Sequence, residues 1–191
     1  MGIKIIGGRF KGFLINIPKS ARPTLSRYRQ TLFDTLEALF IKRKESFYGK
    51  IVLDCFAGSG ALGLEAISRG ASRAYFFDSS KEAISVLRNN IKKLQVGDIS
   101  AVFKCDLEHF SLRNLSNPCD LIFIDPPYGK ITISLILEKL SLANWVSENT
   151  LIAIEYSSTN PIDISDKYQT ISSKKYKTSS LLISTLKVLS E

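Results

Sequence analysis

Short apolar runs and stretches with helical spacing alternate along most of this chain. Runs rich in β-branched and aromatic residues predict five strands, at 51–54, 74–78, 100–104, 120–124 and 150–156. Other stretches place apolar residues three and four positions apart, and they predict helices at about 61–69, 80–95 and 131–143. This alternation of strands and helices predicts an α/β fold with a parallel, doubly wound sheet.

The N-terminal part of the chain has a different pattern. The apolar runs Ile3–Ile6 and Phe10–Ile17 lie on either side of a glycine pair, and they predict a β-hairpin. Either Thr24 or Ser26 is suited to cap a helix that runs to about Ile41, whose apolar positions recur at helical spacing. This segment is therefore predicted to form a hairpin and a helix ahead of the α/β sheet.

The C-terminal part of the chain returns to strand patterning. Residues 169–171 and 181–188 are predicted strands, and residues 176–179 are a predicted turn between them. Two strands joined by a short turn pair antiparallel. We therefore expect an antiparallel hairpin to close the sheet.

A glycine-rich turn follows the first strand of the predicted sheet. The strand ends in Asp54, and Gly58, Gly60 and Gly63 follow with the spacing G-x-G-x-x-G at the start of a helix. Glycines allow a tight turn and a close approach of the backbone to a ligand. Asp78 ends the next strand, 20 residues after Gly58, where an acid commonly binds ribose hydroxyls. The pattern therefore predicts a cofactor that contains a nucleoside.

Asp54, which precedes the glycine-rich turn in the sequence, helps to distinguish between candidate cofactors. A dinucleotide places its pyrophosphate on the helix N-terminus, where the carboxylate of Asp54 would repel it. S-adenosylmethionine carries an ammonium and a sulfonium and has no phosphate, so it suits Asp54 better than NAD does. The sequence Asp-Pro-Pro-Tyr at residues 125–128, described next, also has no known role in a Rossmann dehydrogenase. The residues therefore favour a methyltransferase over a dehydrogenase.

That motif, Asp125-Pro126-Pro127-Tyr128, comes directly after the apolar run of the fourth predicted strand. Ligands of open α/β sheets bind just outside the carboxyl ends of the strands. The two prolines fix the backbone and remove two N–H donors, so nearby carbonyls can turn toward a ligand. An acid, a fixed carbonyl and a flat ring suit a nucleobase with an exocyclic amine. The alternative is a proline-rich turn with Tyr128 packed on the surface.

The positive charge of the chain is placed unevenly. Residues 1–50 hold 11 Lys and Arg and three acids, which equals the whole net charge of +8. A basic segment beside a neutral domain indicates binding to nucleic acid, although a solvated basic surface is the alternative. We therefore divide the chain into a basic N-terminal extension that is expected to bind nucleic acid, residues 1–45, and a catalytic α/β domain, residues 46–191.

The remaining composition restricts the class of protein. A chain of 191 residues with 45% hydrophobic and 23% charged residues is typical of a globular protein, and no apolar run is long enough to span a membrane. Cys55, Cys105 and Cys119 lack metal-ligand spacing, which predicts reduced, buried thiols in a cytoplasmic protein. Cys55 could instead contact the cofactor. His109 is the only histidine and has no partner motif, so we do not expect it to be a general base.

Together these motifs resemble the RsmD family of 16S rRNA guanine-N2 methyltransferases, over nearly the full length of the chain. The matching segments are Ile5–Arg9 with Lys11-Gly12, Arg22-Pro23-Thr24, Arg27, Arg29 with Thr31–Phe33, Leu53–Ala66, Ser68–Ala71 and Phe123–Tyr128. The resemblance implies a seven-stranded, Rossmann-like class I methyltransferase fold with S-adenosylmethionine as cofactor. It also implies methylation of one guanine N2 during assembly of the small ribosomal subunit.

Four positions depart from the usual residues of that family. The family usually has Val where Tyr28 stands, an acid where Ser26 stands and Glu where Gln30 stands, and Glu is common where Asp78 stands. Each motif acid, glycine and proline is retained. Ser26 and Gln30 therefore bear on the positioning of RNA rather than on the chemistry.

The resemblance and the residue patterns together give a set of expected site residues. The base-binding and catalytic residues are expected to be Asp125, Pro126, Pro127 and Tyr128. The cofactor-binding residues are expected to be Asp54, Phe56, Ala57, Gly58, Gly60, Asp78, Ser79, Asp106 and Asp125. Phosphates of the RNA are expected to contact Arg9, Lys11, Arg22, Thr24, Arg27 and Arg29. For Asp106, which follows the third strand, a role as a helix cap is the alternative. We expect a monomer that needs no metal.

Three other functions remain as alternatives, and a sequence feature distinguishes each of them from an rRNA methyltransferase. A DNA adenine-N6 or cytosine-N4 methyltransferase shares the Asp-Pro-Pro-Tyr motif but usually carries a separate target-recognition region, for which this chain has little room. A protein-glutamine methyltransferase more often has Asn where Asp125 stands, and it has no need of a basic N-terminus. A non-catalytic RNA-binding module would leave the acids Asp54, Asp78 and Asp125 unexplained.

Overall fold

The computed structural model of the chain describes residues 2–19, 26–109, 112–127, 132–159, 162 and 164–187, with only the backbone described for Ser26 and Arg27. The chain divides into two units, Met1–Cys105 and Asp106–Glu191. Among the residues with a described structure, no helix is long and apolar enough to cross a membrane. Cys55, Cys105 and Cys119 are buried and not in disulfides, as the sequence predicts.

The described part of the first unit contains the hairpin, three α-helices and a parallel part of the main sheet. Its elements are β1 (Gly2–Lys4), β2 (Leu14–Asn16), α1 (Ser26–Lys42), β3 (Ile51–Asp54), α2 (Ala61–Ser68), β4 (Arg73–Asp78), α3 (Lys81–Leu94) and β5 (Ser100–Lys104). Strand β4 lies between β3 and β5 and is parallel to both. Ser80 caps the start of helix α3, since its hydroxyl accepts from the backbone N–H of Ala83. The helix ends at Leu94, and the following residue, Gln95, has left-handed backbone angles.

The N-terminal hairpin is attached to α2 by polar contacts. The backbone N–H of Ile6 donates to a carboxylate oxygen of Glu65 at 2.8 Å, and the hydroxyl of Ser68 donates to the carbonyl of Gly7. Gly8 has φ +71°, and a Cβ there would collide with the Ser68 carbonyl, so only glycine lets the chain approach α2 this closely. The glycine pair of the sequence therefore seats the hairpin on the end of a helix.

Where its residues are described, the second unit contains one α-helix and the mixed part of the main sheet. Its elements are β6 (Leu121–Ile124), α4 (Ile133–Leu142), β7 (Leu151–Ser157), β8 (Tyr168–Lys175) and β9 (Ser179–Leu186). Strand β7 is parallel to β6 and antiparallel to β9, and β9 is antiparallel to β8. All four residues of β6 are fully buried, which explains its uninterrupted apolar run.

Among the described residues the main sheet has seven strands, so the α/β, Rossmann-like prediction is confirmed. The closing hairpin is confirmed as well, with a turn in which the N–H of Tyr176 donates to the carbonyl of Ser179 at 2.8 Å. The predicted strand at 10–17 is wrong over its first half. Residues Gly8–Phe10 form a 3₁₀ turn, Gly12 has φ +86°, and pairing is confined to Leu14–Asn16. The division at residue 45 stays a prediction.

Candidate functional site

The glycine-rich turn is held against the end of β4 by Asp78. One carboxylate oxygen of this half-buried residue accepts from the backbone N–H of Gly58 at 2.8 Å, and the other accepts from the N–H of Ser80 at 2.8 Å. The N–H of Ala57 also donates to the carbonyl of Phe77 at 2.9 Å. A carboxylate has about four lone-pair sites, so Asp78 retains acceptors for hydroxyl groups of a ligand.

The three glycines of the turn serve different purposes. A Cβ on Gly60 would collide with the side chain of Leu87, and a Cβ on Gly63 would collide with the ring of Phe76. These two glycines are therefore required by packing inside the first unit. Gly58 has φ +53°, and a Cβ there would meet no described atom within 4 Å. The open space over Gly58 fits a close approach of a ligand to the backbone.

Asp54 is a buried carboxyl beneath this turn. It is 1% exposed, and one oxygen accepts from the backbone N–H of Gly63 at 3.1 Å. Burial raises the pKa of Asp54 to about 7, and the charge of Asp78 also raises it, against the lowering effect of hydrogen bonds from Gly63 and Phe56. A ligand cation near Asp54 would favour its ionised form. The residues present therefore fit a cofactor that carries positive charge and a ribose.

The remaining cofactor-binding predictions in the first unit lie beside these residues. Phe56 is half-buried and Ala57 is buried in the turn, whereas Ser79 is exposed after β4. Contact of these three residues with a cofactor stays a prediction.

Asp106 opens the second unit and caps a turn rather than a helix. Its exposed carboxylate accepts from the backbone N–H of Glu108 at 3.1 Å and lies 3.2 Å from a ring nitrogen of His109. The hydrogen bond with His109, followed by that with Glu108, lowers the pKa of Asp106. The alternative of a helix cap is wrong, because a turn follows at residues 107–109. The cofactor role stays a prediction.

The acid–proline motif follows the carboxyl end of β6 in the second unit. Asp125 and Pro126 are half-buried and Pro127 is exposed. Tyr128 lies outside the described residues. The motif thus sits where a ligand of an open α/β sheet binds, directly after a strand that is buried on both faces.

The structure describes some of the predicted phosphate contacts and leaves others outside the described residues. Arg9 and Lys11 are exposed on the hairpin, and the Arg9 guanidinium lies 4.5 Å from the ring centroid of Phe10. Arg22 and Thr24 lie outside the described residues, as does the side chain of Arg27.

The prediction for Arg29 is wrong. Arg29 is 1% exposed, its Nη2 donates to the carbonyl of Lys4 at 3.0 Å, and burial lowers its pKa. A buried guanidinium cannot reach an RNA phosphate at the surface, so Arg29 instead links α1 to the hairpin.

The sequence patterns did not single out two buried polar residues on helices of the first unit. The carboxylate of Glu65 accepts from Ile6 and from Arg69, and Arg69 also pairs with Glu37. Asn90 is fully buried on α3. A signal was present in both cases, because each is a polar residue on the apolar face of its helix.

Comparisons with known proteins match nearly the full length of the chain. A family model described as "Conserved hypothetical protein 95" matches residues 3–185. The chain belongs to this family. Its relative in Buchnera aphidicola subsp. Acyrthosiphon pisum, "Ribosomal RNA small subunit methyltransferase D", is 36% identical over 91% of this chain and 87% of that protein. The resemblance to the RsmD family is thereby confirmed.

Two solved structures share the fold of this chain. The Escherichia coli protein yhhF superposes with a TM-score of 0.84 at 27% identity, over 97% of this chain and 98% of that chain. The magnesium protoporphyrin IX methyltransferase of Synechocystis, solved with bound SAM, superposes with a TM-score of 0.60 at 15% identity, over 84% and 80%. The second likeness concerns the fold alone.

Proposed function

We propose that this protein transfers a methyl group from S-adenosylmethionine to the exocyclic N2 of one guanine in 16S rRNA, during assembly of the small ribosomal subunit. The observation that carries this proposal is the 36% identity, across 91% of the chain, to a ribosomal RNA small subunit methyltransferase D. The glycine turn with its two acids and the acid–proline motif at the end of β6 give independent support.

The cofactor would be held mainly by the first unit. Asp78 would accept from ribose hydroxyls, and Asp54 would face the positive charge. The open space over Gly58 would allow close approach of the cofactor, and Gly60 would contribute through the shape of the same turn. Phe56, Ala57, Ser79 and Asp106 would complete its surroundings. When bound, S-adenosylmethionine supplies a methyl group on a sulfonium sulfur, which would leave as the neutral thioether of S-adenosylhomocysteine while the methylated amine loses one proton to solvent.

The acid–proline motif would orient the guanine. Asp125 and the Pro126 carbonyl would accept hydrogen bonds from the exocyclic amine, which weakens delocalisation of its lone pair into the ring. Tyr128 would stack on the base, an interaction worth ~1–3 kcal/mol. The base must leave its stack to enter such a site. Most of the acceleration would come from positioning, for which effective molarities reach about 10⁵–10⁸ M.

The RNA would be held by the exposed cations of the hairpin, Arg9 and Lys11, together with Arg22, Thr24 and Arg27. The chemistry as proposed needs no metal, and we propose that a monomer carries it out. The substrate is proposed to be 16S rRNA, either free or within the small-subunit particle or its assembly intermediate.

Transfer of labelled methyl from S-adenosylmethionine to three acceptors tests this proposal. The acceptors are unmodified small-subunit particles, naked 16S rRNA and duplex DNA. Label in the particles or the rRNA, and none in the DNA, is the expected result. Label in DNA alone would replace the proposal with a DNA amino-methyltransferase, and cofactor binding without transfer to any acceptor would overturn the substrate assignment.

A further inference from the structure

An open cleft at the junction of α3 and β5 concentrates positive charge on the first unit. It has a volume of about 490 Å³ and is lined by Lys81, Ile84, Ser85, Arg88, Asn89 and Lys104. Three of these residues are cations and none is an acid. Ile84 is buried and forms an apolar part of the wall, whereas the polar and charged lining residues are exposed.

The geometry of the two elements brings the cations together. Lys81, Ser85 and Arg88 are separated by four and three positions, so they lie on one face of α3. Lys104 is the last residue of β5, the strand at the edge of the sheet that packs against α3. Within the described part of the chain, none of the three cations forms an ion pair. Their charges are therefore available to an external anion.

The cationic cleft lies in a part of the sequence that carries no net charge. Residues 51–191 hold 15 basic and 15 acidic residues, so the cleft does not simply reflect a general excess of positive charge. Lys81 also stands in the first turn of α3, where the helix dipole disfavours a cation. Folding thus assembles a cationic surface from a stretch of the chain that is neutral overall.

The cleft begins beside the glycine turn. Lys104 is the register partner of Asp78, and Lys81 follows Asp78 by three residues. Asp78 is the residue that holds the backbone N–H of Gly58. An anionic polymer that enters the cleft would therefore run past the cofactor-binding end of β4.

We propose that this cleft binds phosphate groups of the rRNA substrate and forms a second RNA contact, in addition to the hairpin cations Arg9 and Lys11. The inference rests on the proposed function and extends it to a surface of the α/β domain. Lysine and arginine side chains neutralise phosphates and release counterions, and Ser85 and Asn89 add neutral hydrogen-bond donors.

A charge-neutralised variant tests the inference. The variant K81Q/R88Q/K104Q removes three cations from the cleft, and the control K167Q/K175Q/K177Q removes three exposed cations from the second unit. Binding of both variants to unmodified 16S rRNA and to small-subunit particles is measured over a range of salt concentrations without cofactor.

The cleft variant is expected to lower the slope of log affinity against log salt by about 2, since each lost contact to a single-stranded phosphate contributes ~0.7. Its affinity at about 0.15 M salt should fall at least about tenfold, with unchanged S-adenosylmethionine affinity and an unchanged melting temperature. The control should match the wild type. A cleft variant that also matches the wild type overturns the inference.

Failure of the proposed function gives a different result. Wild-type protein that binds the RNA but transfers no methyl group to it would overturn the proposed function, while the salt slopes would still decide the role of the cleft. Wild-type protein that shows no salt-dependent binding to either RNA would overturn both.

Discussion

Asn16 and Asn90 exchange two hydrogen bonds of 2.9 Å each. The backbone N–H of Asn16 on β2 donates to Oδ1 of Asn90 on α3, and Nδ2 of Asn90 donates to the Asn16 carbonyl. The same Nδ2 donates to the carbonyl of Ser59 at 2.9 Å. One buried amide thus joins the N-terminal hairpin to the glycine-rich turn.

Replacing Asn90 should destabilise the protein and loosen the glycine turn. In Asn90→Ala the Asn16 and Ser59 backbone groups lose their partner, and an unpaired buried polar group costs about 1–3 kcal/mol. We expect a fall of about 2–3 kcal/mol in the free energy of unfolding, measured with urea, and weaker cofactor binding. The control is Asn89→Ala at the exposed neighbouring position, which should stay within about 0.5 kcal/mol. Equal stability of the two variants would contradict this role.

Asp54 makes the affinity for a cationic cofactor dependent on pH. Its pKa is raised to about 7, so below that value the carboxyl is mostly protonated and offers no charge to the cofactor. The α-amino group of the cofactor, with a reference pKa of about 7.7–8.0, stays charged in this window. Affinity for S-adenosylmethionine should therefore fall toward tenfold per pH unit as pH decreases below about 7. Isothermal titration calorimetry from pH 5.5 to 7 measures this.

Two variants separate Asp54 from other groups. Asp54→Asn should bind the cofactor more weakly above pH 7 and lose the pH dependence, whereas the exposed Asp98→Asn should keep both properties. In the protein without cofactor, the raised pKa means that stability from this group decreases as pH rises from about 4 to 7. A wild-type affinity that does not vary over pH 5.5 to 7 would refute the role of Asp54.

The glycines of the turn should respond differently to alanine. Gly63→Ala forces a methyl group into the Phe76 ring and should cost about 1–3 kcal/mol of stability. Gly58→Ala meets no described atom and bears only the left-handed backbone cost of about 1–2 kcal/mol, but its methyl group enters the space over the turn. We expect loss of cofactor affinity out of proportion to stability for Gly58→Ala only. Thermal melts and calorimetry compare the two, and full cofactor affinity in Gly58→Ala would contradict the assignment.

The regular elements could be predicted from the sequence because burial dictates their pattern. Strands β3 and β5 match their predicted bounds, and β6 differs by one residue, since these runs are bounded by polar residues or turns. The neighbourhood of Gly58 and Asp78 was also predictable, because successive parallel strands place their carboxyl ends at one edge of the sheet.

The docking of the hairpin could not be predicted in the same way. Glu65 contacts Ile6 and Asn90 contacts Asn16, which are 59 and 74 positions away in the sequence. A local hydrophobic pattern cannot predict contacts between residues so far apart. Arg29 was mistaken for a surface cation for this reason. Its position near other basic residues suggested RNA, whereas tertiary packing buries it against the Lys4 carbonyl.

Nucleoside mass spectrometry of the methylated RNA tests the proposed guanine-N2 specificity. Unmodified small-subunit particles are incubated with S-adenosylmethionine and either the wild-type protein or Asp125→Ala, and the 16S rRNA is digested and analysed. The proposed function predicts N2-methylguanosine at a single position with the wild type and none with Asp125→Ala, which should still bind the cofactor because the first unit would provide most of its contacts. A different methylated nucleoside, or full activity of Asp125→Ala, would contradict it.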